Sequence, residues 1–273
     1  MSTEQQTVIN GLATTIWRSG QGEPLLWVMG TGMSGRAWHQ FAVPAFEGEF
    51  ECITYDMRGV GSADCPAAEY TPRVLAEDVI ALLDHLGIDS AHMVGFSLGS
   101  VTLQEVAINW PDRVRSVTLL STWGRTADEH HIRRHYESRM YALANGPLDV
   151  FRRFAFWMWS PSLVDEEYER IVELEAFLSS VSGSRDVSGF IGHFAADLAH
   201  DSIDRLPSVT CPTLVLYGDE DLITRPAYNT RVAQTIPGAR EVVVPRAGHL
   251  AFLEQPDAIN AAIRAFLTGA GGT

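Results

Sequence analysis

Gly95-Phe96-Ser97-Leu98-Gly99 is the stretch that decides the fold of this 273-residue chain. It has the form G-x-S-x-G, in which a serine occupies a tight turn between a strand and a helix with its hydroxyl exposed. Here the strand is the apolar run 91–96 and the helix is 98–109. Strand and helix converge at such a turn, so the positions two before and two after the serine must be small. Gly95 and Gly99 meet this requirement, and Ser97 is predicted to be a nucleophile.

Strands and helices alternate on both sides of this turn. Short unbroken apolar runs are typical of strands that are buried on both faces of a parallel sheet. Asn10-Gly11, inside residues 7–18, is a strong signal for an opening antiparallel hairpin. The strands predicted after it are 25–29, 52–55, 91–96, 114–120, 213–217 and 241–244, and the main predicted helices are 35–46, 73–86, 98–109 and 256–267. The pattern predicts an α/β fold with a mostly parallel central sheet and helices on both faces.

The alternation stops between Trp123 and Pro207. Residues 124–206 carry helical periodicity, broken by turn signals at 145–147, 160–161 and 182–183, and contain no convincing strand. We expect some four helices here, inserted above the sheet as a cap, and a core domain made of residues 1–123 and 207–273. The insertion is rich in large side chains. Most of them should pack against the core, while a minority should line an apolar pocket.

The late strands point to an acid and a base for the serine. A serine hydroxyl needs a general base, and that base needs an acidic partner. After a G-x-S-x-G turn the order along the chain is serine, acid, histidine. Strand 213–217 runs into Asp219-Glu220-Asp221, and strand 241–244 runs into a loop that ends at His249. Both loops follow the carboxyl ends of parallel strands, which is the edge at which open sheets bind ligands.

Each member of this set has an alternative. The serine could act only as a helix N-cap, but its flanking glycines favour the nucleophile. His249 is one of nine histidines, and the others lack a loop position after a late strand. Among them His130, His131 and His135 lie in a polar helical stretch and are expected to be solvated. The three acids at 219–221 share one loop, so position alone does not decide between them.

A developing oxyanion needs hydrogen-bond donors. Two backbone N–H groups are expected, one from the residue after the nucleophile and one from a loop after an earlier strand. Leu98 supplies the first by position. Thr31, in Met29-Gly30-Thr31-Gly32, is predicted to supply the second, because its glycine neighbours let the backbone approach a ligand. The residues predicted to contact the substrate are Gly30, Met33, Trp123 and Trp157.

Composition argues against several classes of partner. The 20 basic and 34 acidic residues give a net charge of −14, which opposes binding to nucleic acid or anionic membranes through bulk charge. The chain has no run of eighteen apolar residues and a polar start unlike a signal peptide, so a cytoplasmic location is expected. Three cysteines without a C-x-x-C pair indicate neither a disulfide framework nor a zinc site. We expect no metal and no cofactor, and these patterns do not fix the oligomeric state.

The chain resembles the α/β-hydrolase superfamily over nearly its whole length. The matching segments are the glycine loop 30–32, the run from Tyr55 to Ser62, the serine turn, Gly218-x-x-Asp221 and Ala247-Gly248-His249. Within the superfamily it is similar to capped enzymes of the 3-oxoadipate enol-lactonase and anthracycline (aclacinomycin) methylesterase type. The resemblance ranks Asp221 first among the three acids and implies Ser97, Asp221 and His249 as the catalytic residues. It also leaves open a role in polyketide tailoring.

Two positions distinguish the chain from some relatives. Haloalkane dehalogenases and epoxide hydrolases of this fold attack with an aspartate, and Ser97 excludes both. Cofactor-free haloperoxidases and the hydrolases of ring-fission products often carry a second glycine directly after the motif, where this chain has Ser100. We therefore expect a serine hydrolase that acts on an ester or lactone of a small or medium-sized apolar acid. The alternatives are a C–C bond hydrolase or elimination enzyme with His249 as the proton-transfer group, and a non-catalytic ligand receptor.

Overall fold

One eight-stranded sheet forms the centre of the structure. The structure is a computed structural model, and it describes residues 3–67, 70–145, 155–181 and 187–269. The strands are β1 Thr3–Ile9, β2 Leu12–Ser19, β3 Glu23–Val28, β4 Phe50–Tyr55, β5 Ala91–Phe96, β6 Val114–Leu120, β7 Thr213–Gly218 and β8 Arg240–Val244. Their order in the sheet is β1-β2-β4-β3-β5-β6-β7-β8. The pairs β1–β2 and β2–β4 are antiparallel, and all others are parallel. The predicted mostly parallel sheet is confirmed.

The opening hairpin turns at the predicted dipeptide. Asn10 and Gly11 both have positive φ, 51° and 77°. Two consecutive residues with positive φ make the type I′ turn, whose twist matches that of the flanking strands. Ile9 accordingly pairs with Leu12 across the turn. The hairpin forms one edge of the sheet.

Helices cover the sheet between these strands. They are α1 Trp38–Phe41, α2 Val43–Phe46, α3 Pro72–Leu86, α4 Leu98–Asn109, α5 His130–Asn145, α6 Pro161–Glu166, α7 Tyr168–Val181, α8 Val187–Ala199, α9 Pro226–Thr235, α10 Ala251–Glu254 and α11 Pro256–Leu267. Short 3₁₀ helices span Gly35–Ala37, Pro111–Arg113, Ala155–Met158 and Leu206–Ser208. The single helix predicted at 35–46 is instead a 3₁₀ turn followed by two short helices. Pro44 accounts for the second break, because it has no N–H with which to continue the first helix.

Local signals set both ends of α3. The side chain of Thr71 accepts a hydrogen bond from the Val74 N–H, and Pro72 occupies the first helical position. The helix ends at Gly87, whose φ of +68° lies in the left-handed region. Its buried apolar stripe is Leu75, Val79, Leu82 and Leu83. The stripe holds α3 against the sheet layer, beside α4.

In the described ranges, the α-helices between β6 and β7 are α5 to α8. In the described part of this segment the one β-type pairing is an isolated bridge between Arg125 and Asp201. The predicted turns at 145–147 and 182–183 fall wholly or mainly on residues outside the described ranges. Helix α5 packs against α8, and α8 also contacts α3 and α4. Helix α8 therefore connects α5 to the helices that cover the sheet.

The sequence analysis also raised expectations about membrane-spanning segments and about disulfides. No helix within the described ranges is long and apolar enough to cross a membrane. The three cysteines, Cys52, Cys65 and Cys211, are free thiols.

The end of α3 yields a test of backbone conformation. A Cβ at Gly87 would meet no atom within 4 Å, so the cost of Gly87→Ala comes from its φ of +68° alone. We expect Gly87→Ala to lower the free energy of unfolding by about 1 kcal/mol, measured by urea denaturation. Gly48 is the matched control, because its surroundings are equally open and its φ is not in the left-handed region. Equal effects of Gly87→Ala and Gly48→Ala would contradict this interpretation.

Candidate active site

Ser97 occupies a strained backbone turn, which the close approach of neighbouring backbone segments holds in place. Its φ is +51° and its ψ is −117°. A Cβ at Gly95 would collide with the carbonyl oxygen of Gly99, and one at Gly99 would collide with that of Val28. The Ser97 N–H donates to the carbonyl of Leu120 on β6, at 2.9 Å. Gly95 thus lets β5 approach α4, and Gly99 lets α4 approach the end of β3, so that the turn that holds Ser97 can form at the carboxyl edge of the sheet.

A histidine and an acid complete a chain of hydrogen bonds from this serine. The Nε2 atom of His249 lies 3.1 Å from the Oγ of Ser97. The Nδ1 atom of the same ring lies 2.9 Å from Oδ2 of Asp221. All three residues are buried, with 2–3% of their surface exposed. The loops after β7 and β8 therefore bring together the three residues that the sequence predicted.

Asp221 is held as a carboxylate by its surroundings. It accepts hydrogen bonds from the N–H groups of Ile223 and Thr224, both at 2.8 Å, and from the Thr224 hydroxyl at 2.6 Å. Burial alone would raise the pKa of this carboxyl. The charge and hydrogen bond of His249, with those from Thr224 and Ile223, outweigh burial and hold the pKa below its usual value. The group is ionised at neutral pH and orients the imidazole.

The other two acids of this loop point elsewhere. Asp219 accepts a hydrogen bond from the N–H of Arg246 at 2.6 Å. Glu220 accepts from the N–H and hydroxyl of Ser162 on α6. The side chains of Asp219 and Glu220 therefore hydrogen-bond to other segments. Of the three acids after β7, Asp221 is the one that contacts His249.

A small cavity opens beside Ser97 and His249. Its lining is mixed rather than purely apolar, and consists of Thr31, Met33, Phe96, Ser97, His135, Tyr136, Arg139, Met158, Ile223 and His249. Met33, predicted to contact the substrate, is among these residues. Gly30 lies just behind the lining, where an added Cβ would press on the ring of Phe96 and come within 3.2 Å of the Ser97 Cβ.

Two predicted substrate contacts lie outside this cavity. Trp123 is fully buried and donates to the Thr126 hydroxyl at 2.8 Å, and its ring contacts that of Tyr136, which lines the cavity. Trp157 is 39% exposed and lines a more open outer pocket with His131, Arg134, His135 and Ser138. Their positions depend on how the helices pack, which the spacing of aromatic residues does not reveal.

The two predicted oxyanion donors face the same region. Leu98 begins α4, where the first N–H groups of a helix have no partner within the helix. Thr31 lines the cavity, and its hydroxyl donates to Asp197 on α8 at 2.7 Å. This hydrogen bond fixes the Thr31 side chain, so the loop meets the cavity in a defined conformation.

Helix α8 also holds the next residue of that loop. The Gly32 N–H donates to Nδ1 of His193 at 3.1 Å. Because Nδ1 accepts this bond, the proton of the neutral ring is on Nε2, which lies 2.8 Å from the carbonyl oxygen of Arg58 and donates to it. Gly32 itself has φ +71°, and an added Cβ would collide with the ring of Phe190. His193 thus bridges two core loops.

Helix α5 contributes residues that the sequence patterns did not assign to the site. The Tyr136 hydroxyl hydrogen-bonds with the Ser97 side chain, and burial raises its pKa well above 10. His135 was expected to be solvated, and this was wrong: it is partly buried and lines the cavity. Burial, with the charge of Arg139, lowers the pKa of His135 to about 2. The four-residue spacing of His131, His135 and Arg139 is a helical face that could have indicated this.

The described residues contain no cluster of three or more His, Cys, Asp or Glu side chains that could hold a metal ion. The groups joined by hydrogen bonds that can carry out nucleophilic chemistry at this cavity include the hydroxyl of Ser97, the imidazole of His249 and the carboxylate of Asp221.

The buried His193 generates a prediction about pH. Burial lowers its pKa from 6.5 to about 4. Between these values the unfolded chain binds a proton that the folded chain does not, so this group makes stability fall as pH drops from about 6.5 to about 4. Asparagine does not titrate there and can still accept from Gly32. In His193→Asn we expect the free energy of unfolding, from urea denaturation, to vary less steeply with pH, by up to about 1.4 kcal/mol per pH unit.

His85→Asn is the control, since it is the same change at an exposed histidine. The interpretation fails if both variants alter the slope equally, or if His193→Asn leaves it as in the parent chain.

Comparisons with known proteins agree with this geometry. A family model described as the alpha/beta hydrolase fold matches residues 23–256. The chain is 30% identical over 258 residues to "Putative non-heme bromoperoxidase BpoC" of Mycobacterium tuberculosis, covering 91% of this chain and 95% of that protein. It is 28% identical to 3-oxoadipate enol-lactonase 2 of Acinetobacter baylyi, covering 88% and 85%.

Comparison with a solved structure gives the same family likeness in three dimensions. The enol-lactonase of Burkholderia xenovorans LB400 superimposes with a TM-score of 0.87 at 26% identity, covering 97% of this chain and 100% of that one. The match includes the sheet and the helices between β6 and β7. The chain belongs to the α/β-hydrolase family.

Proposed function

We propose that this chain is a serine hydrolase that cleaves a carboxylic ester or a lactone through an acyl-enzyme. The observation that carries the proposal is the continuous hydrogen-bond chain from Ser97 through His249 to Asp221, at 3.1 Å and 2.9 Å, at the floor of a cavity. A serine, a histidine and a carboxylate in this order are the parts that acyl transfer requires.

In the first half of the reaction, Ser97 Oγ attacks the carbonyl carbon while its proton passes to Nε2 of His249. Asp221 stays ionised and stabilises the imidazolium that forms. The tetrahedral oxyanion then collapses, the bond to the leaving oxygen breaks, and His249 returns its proton to that oxygen. The product is an alcohol, or for a lactone the free hydroxyl end of the same molecule, with an ester at Ser97.

In the second half, His249 removes a proton from a water molecule, which attacks the acyl carbon. The bond to Ser97 Oγ breaks and the serine regains its proton from His249, releasing a carboxylic acid. In both halves the oxyanion accepts hydrogen bonds from the N–H groups of Leu98 and Thr31, as the position of these residues suggests. Removing one such donor costs on the order of 3 kcal/mol in the barrier.

We further propose that residues 124–206 form a cap over a core of residues 1–123 and 207–273. Helices α5 and α8 support this division, since α5 lines the cavity and α8 holds the loop that contains Thr31. The enol-lactonase relatives support lactone cleavage as one form of the reaction. A role in polyketide tailoring stays a prediction from sequence resemblance.

The first test removes the nucleophile. With p-nitrophenyl esters of graded chain length and a set of lactones, we expect Ser97→Ala to lower kcat by about 10⁴-fold or more. Labelling by a fluorophosphonate, read by intact-mass measurement, should disappear in the same variant. Ser208→Ala, at an exposed serine, is the control for both measurements.

Two results would contradict the acyl-enzyme. Product formation that survives Ser97→Ala would favour proton transfer by His249 in a C–C cleavage or an elimination. Tight ligand binding by the parent chain without turnover and without labelling would favour a receptor.

The second test separates the acids of the loop after β7. Asp221→Asn removes the carboxylate that orients His249 and should lower kcat by about 10³- to 10⁴-fold. Asp219→Asn is the matched control, because it is the same change two residues away, at a side chain that binds the Arg246 N–H. Comparable losses in both variants, with unchanged thermal unfolding, would show that Asp221 has no special role.

A further inference from the structure

We propose that Asp197 and His193 of helix α8 are positioning residues for catalysis, which orient the Thr31 N–H toward the oxyanion. This role rests on the proposed hydrolase function and goes beyond it, because neither side chain lines the cavity beside Ser97. The rate of the reaction then depends on α8 as well as on the groups around the serine.

The loop after β3 offers three consecutive N–H groups beside the cavity. The Gly32 N–H donates to Nδ1 of His193 at 3.1 Å. The Met33 N–H donates to the carbonyl oxygen of Gly30 at 3.3 Å. For the Thr31 N–H, no acceptor is found within the described part of the chain. Because His193 engages the Gly32 N–H, that of Thr31 is left to meet an oxyanion.

Asp197 holds the side chain of this donor residue. The Thr31 hydroxyl donates to Oδ2 of Asp197 at 2.7 Å, across 166 positions of the chain. Asp197 is fully buried, and its backbone carbonyl accepts a hydrogen bond from the Thr126 hydroxyl at 2.6 Å. A β-branched side chain has few χ1 rotamers, so holding the Thr31 hydroxyl also restricts the backbone that carries its N–H.

The two positioning residues lie four positions apart, on one face of α8. Nε2 of His193 also donates to the carbonyl oxygen of Arg58 at 2.8 Å, which ties this face to the loop after β4. On its other side the loop after β3 meets the serine turn, since a Cβ at Gly30 would come within 3.2 Å of the Ser97 Cβ. The loop is therefore held between α8 and the nucleophile. A shift of such a donor by about 1 Å slows catalysis by as much as about 100-fold.

The test removes the hydrogen bond between Thr31 and Asp197 from either side. Thr31→Val and Asp197→Leu each delete one partner and keep the approximate shape of the side chain. With p-nitrophenyl butyrate, we expect each variant to lower kcat by about 10- to 100-fold and to change KM by less than about 3-fold. Since both act through one bond, the double variant should be little slower than the slower single variant. Fully additive losses, or losses carried by KM, would overturn the proposal.

Conservative variants show whether the hydrogen bond itself matters. Thr31→Ser keeps a donor and Asp197→Asn keeps an acceptor, so both should recover most of the lost kcat. Burial raises the pKa of Asp197 to about 8, and at pH 7 the uncharged amide of asparagine is therefore a close substitute. Asp89→Leu, at an exposed acid, is the control. If Asp197→Asn is as slow as Asp197→Leu, the proposal fails.

A tetrahedral inhibitor separates positioning from a merely structural role. Butylboronic acid forms a bond between boron and Ser97 Oγ, the serine proton passes to His249, and a boron-bound oxygen takes the place of the oxyanion. Butyramide stays trigonal in the same cavity. We expect Asp197→Leu to weaken inhibition by the boronic acid about 10- to 100-fold and inhibition by the amide less than about 3-fold. Equal weakening of both would mean that α8 only shapes the cavity, and the positioning role would be rejected.

Hydrogen exchange tests the same contact without turnover. In Thr31→Val and Asp197→Leu, the peptide that contains residues 30–33 should exchange about 5-fold faster or more, measured by mass spectrometry, and Asp89→Leu should match the parent chain. If the parent hydrolyses no ester while this pattern holds, the hydrolase proposal fails and the orientation of Thr31 by α8 stands. If the parent hydrolyses esters and neither kcat nor exchange responds, the positioning role fails and the hydrolase proposal stands.

Discussion

The strained turn at Ser97 is the constraint on which the rest of the structure depends. A non-glycine residue at φ +51° costs on the order of 1–3 kcal/mol and persists only where the surrounding packing holds it. Here Gly95 lets β5 approach α4 and Gly99 lets α4 approach the end of β3, in each case without a Cβ between the two backbones. The serine hydroxyl is consequently presented at the carboxyl edge of the sheet, where the loops after β7 and β8 deliver Asp221 and His249.

The helices between β6 and β7 contribute side chains that hold the loop after β3 and line the cavity beside Ser97. Helix α8 holds the loop after β3 through His193 and Asp197. These hydrogen bonds fix the loop that contains Thr31, the proposed oxyanion donor. Helix α5 lines the cavity with Tyr136 and Arg139. Polar groups buried in this way are stable only when their partners are in place, so the site and the position of these helices depend on each other.

The relatives illustrate why the fold does not define the substrate. Proteins named as an enol-lactonase and as a bromoperoxidase share the sheet and the order of elements with this chain. Function resides in the groups that line a site rather than in the architecture that carries them. In this chain the lining combines apolar residues such as Met33 and Ile223 with the cation of Arg139.

The sequence by itself determined the alternation of strands and helices, the serine turn and the order of serine, acid and histidine, because these depend on local periodicity and on chain order. It could not separate the three acids at 219–221, which are equivalent neighbours until folding directs Asp221 toward His249 and the other two toward loop partners. It also placed His135 in solvent, whereas this side chain is partly buried and lines the cavity beside Ser97. Only the tertiary structure decided these, since the rotation of a helix over a sheet is set by long-range packing that no local pattern records.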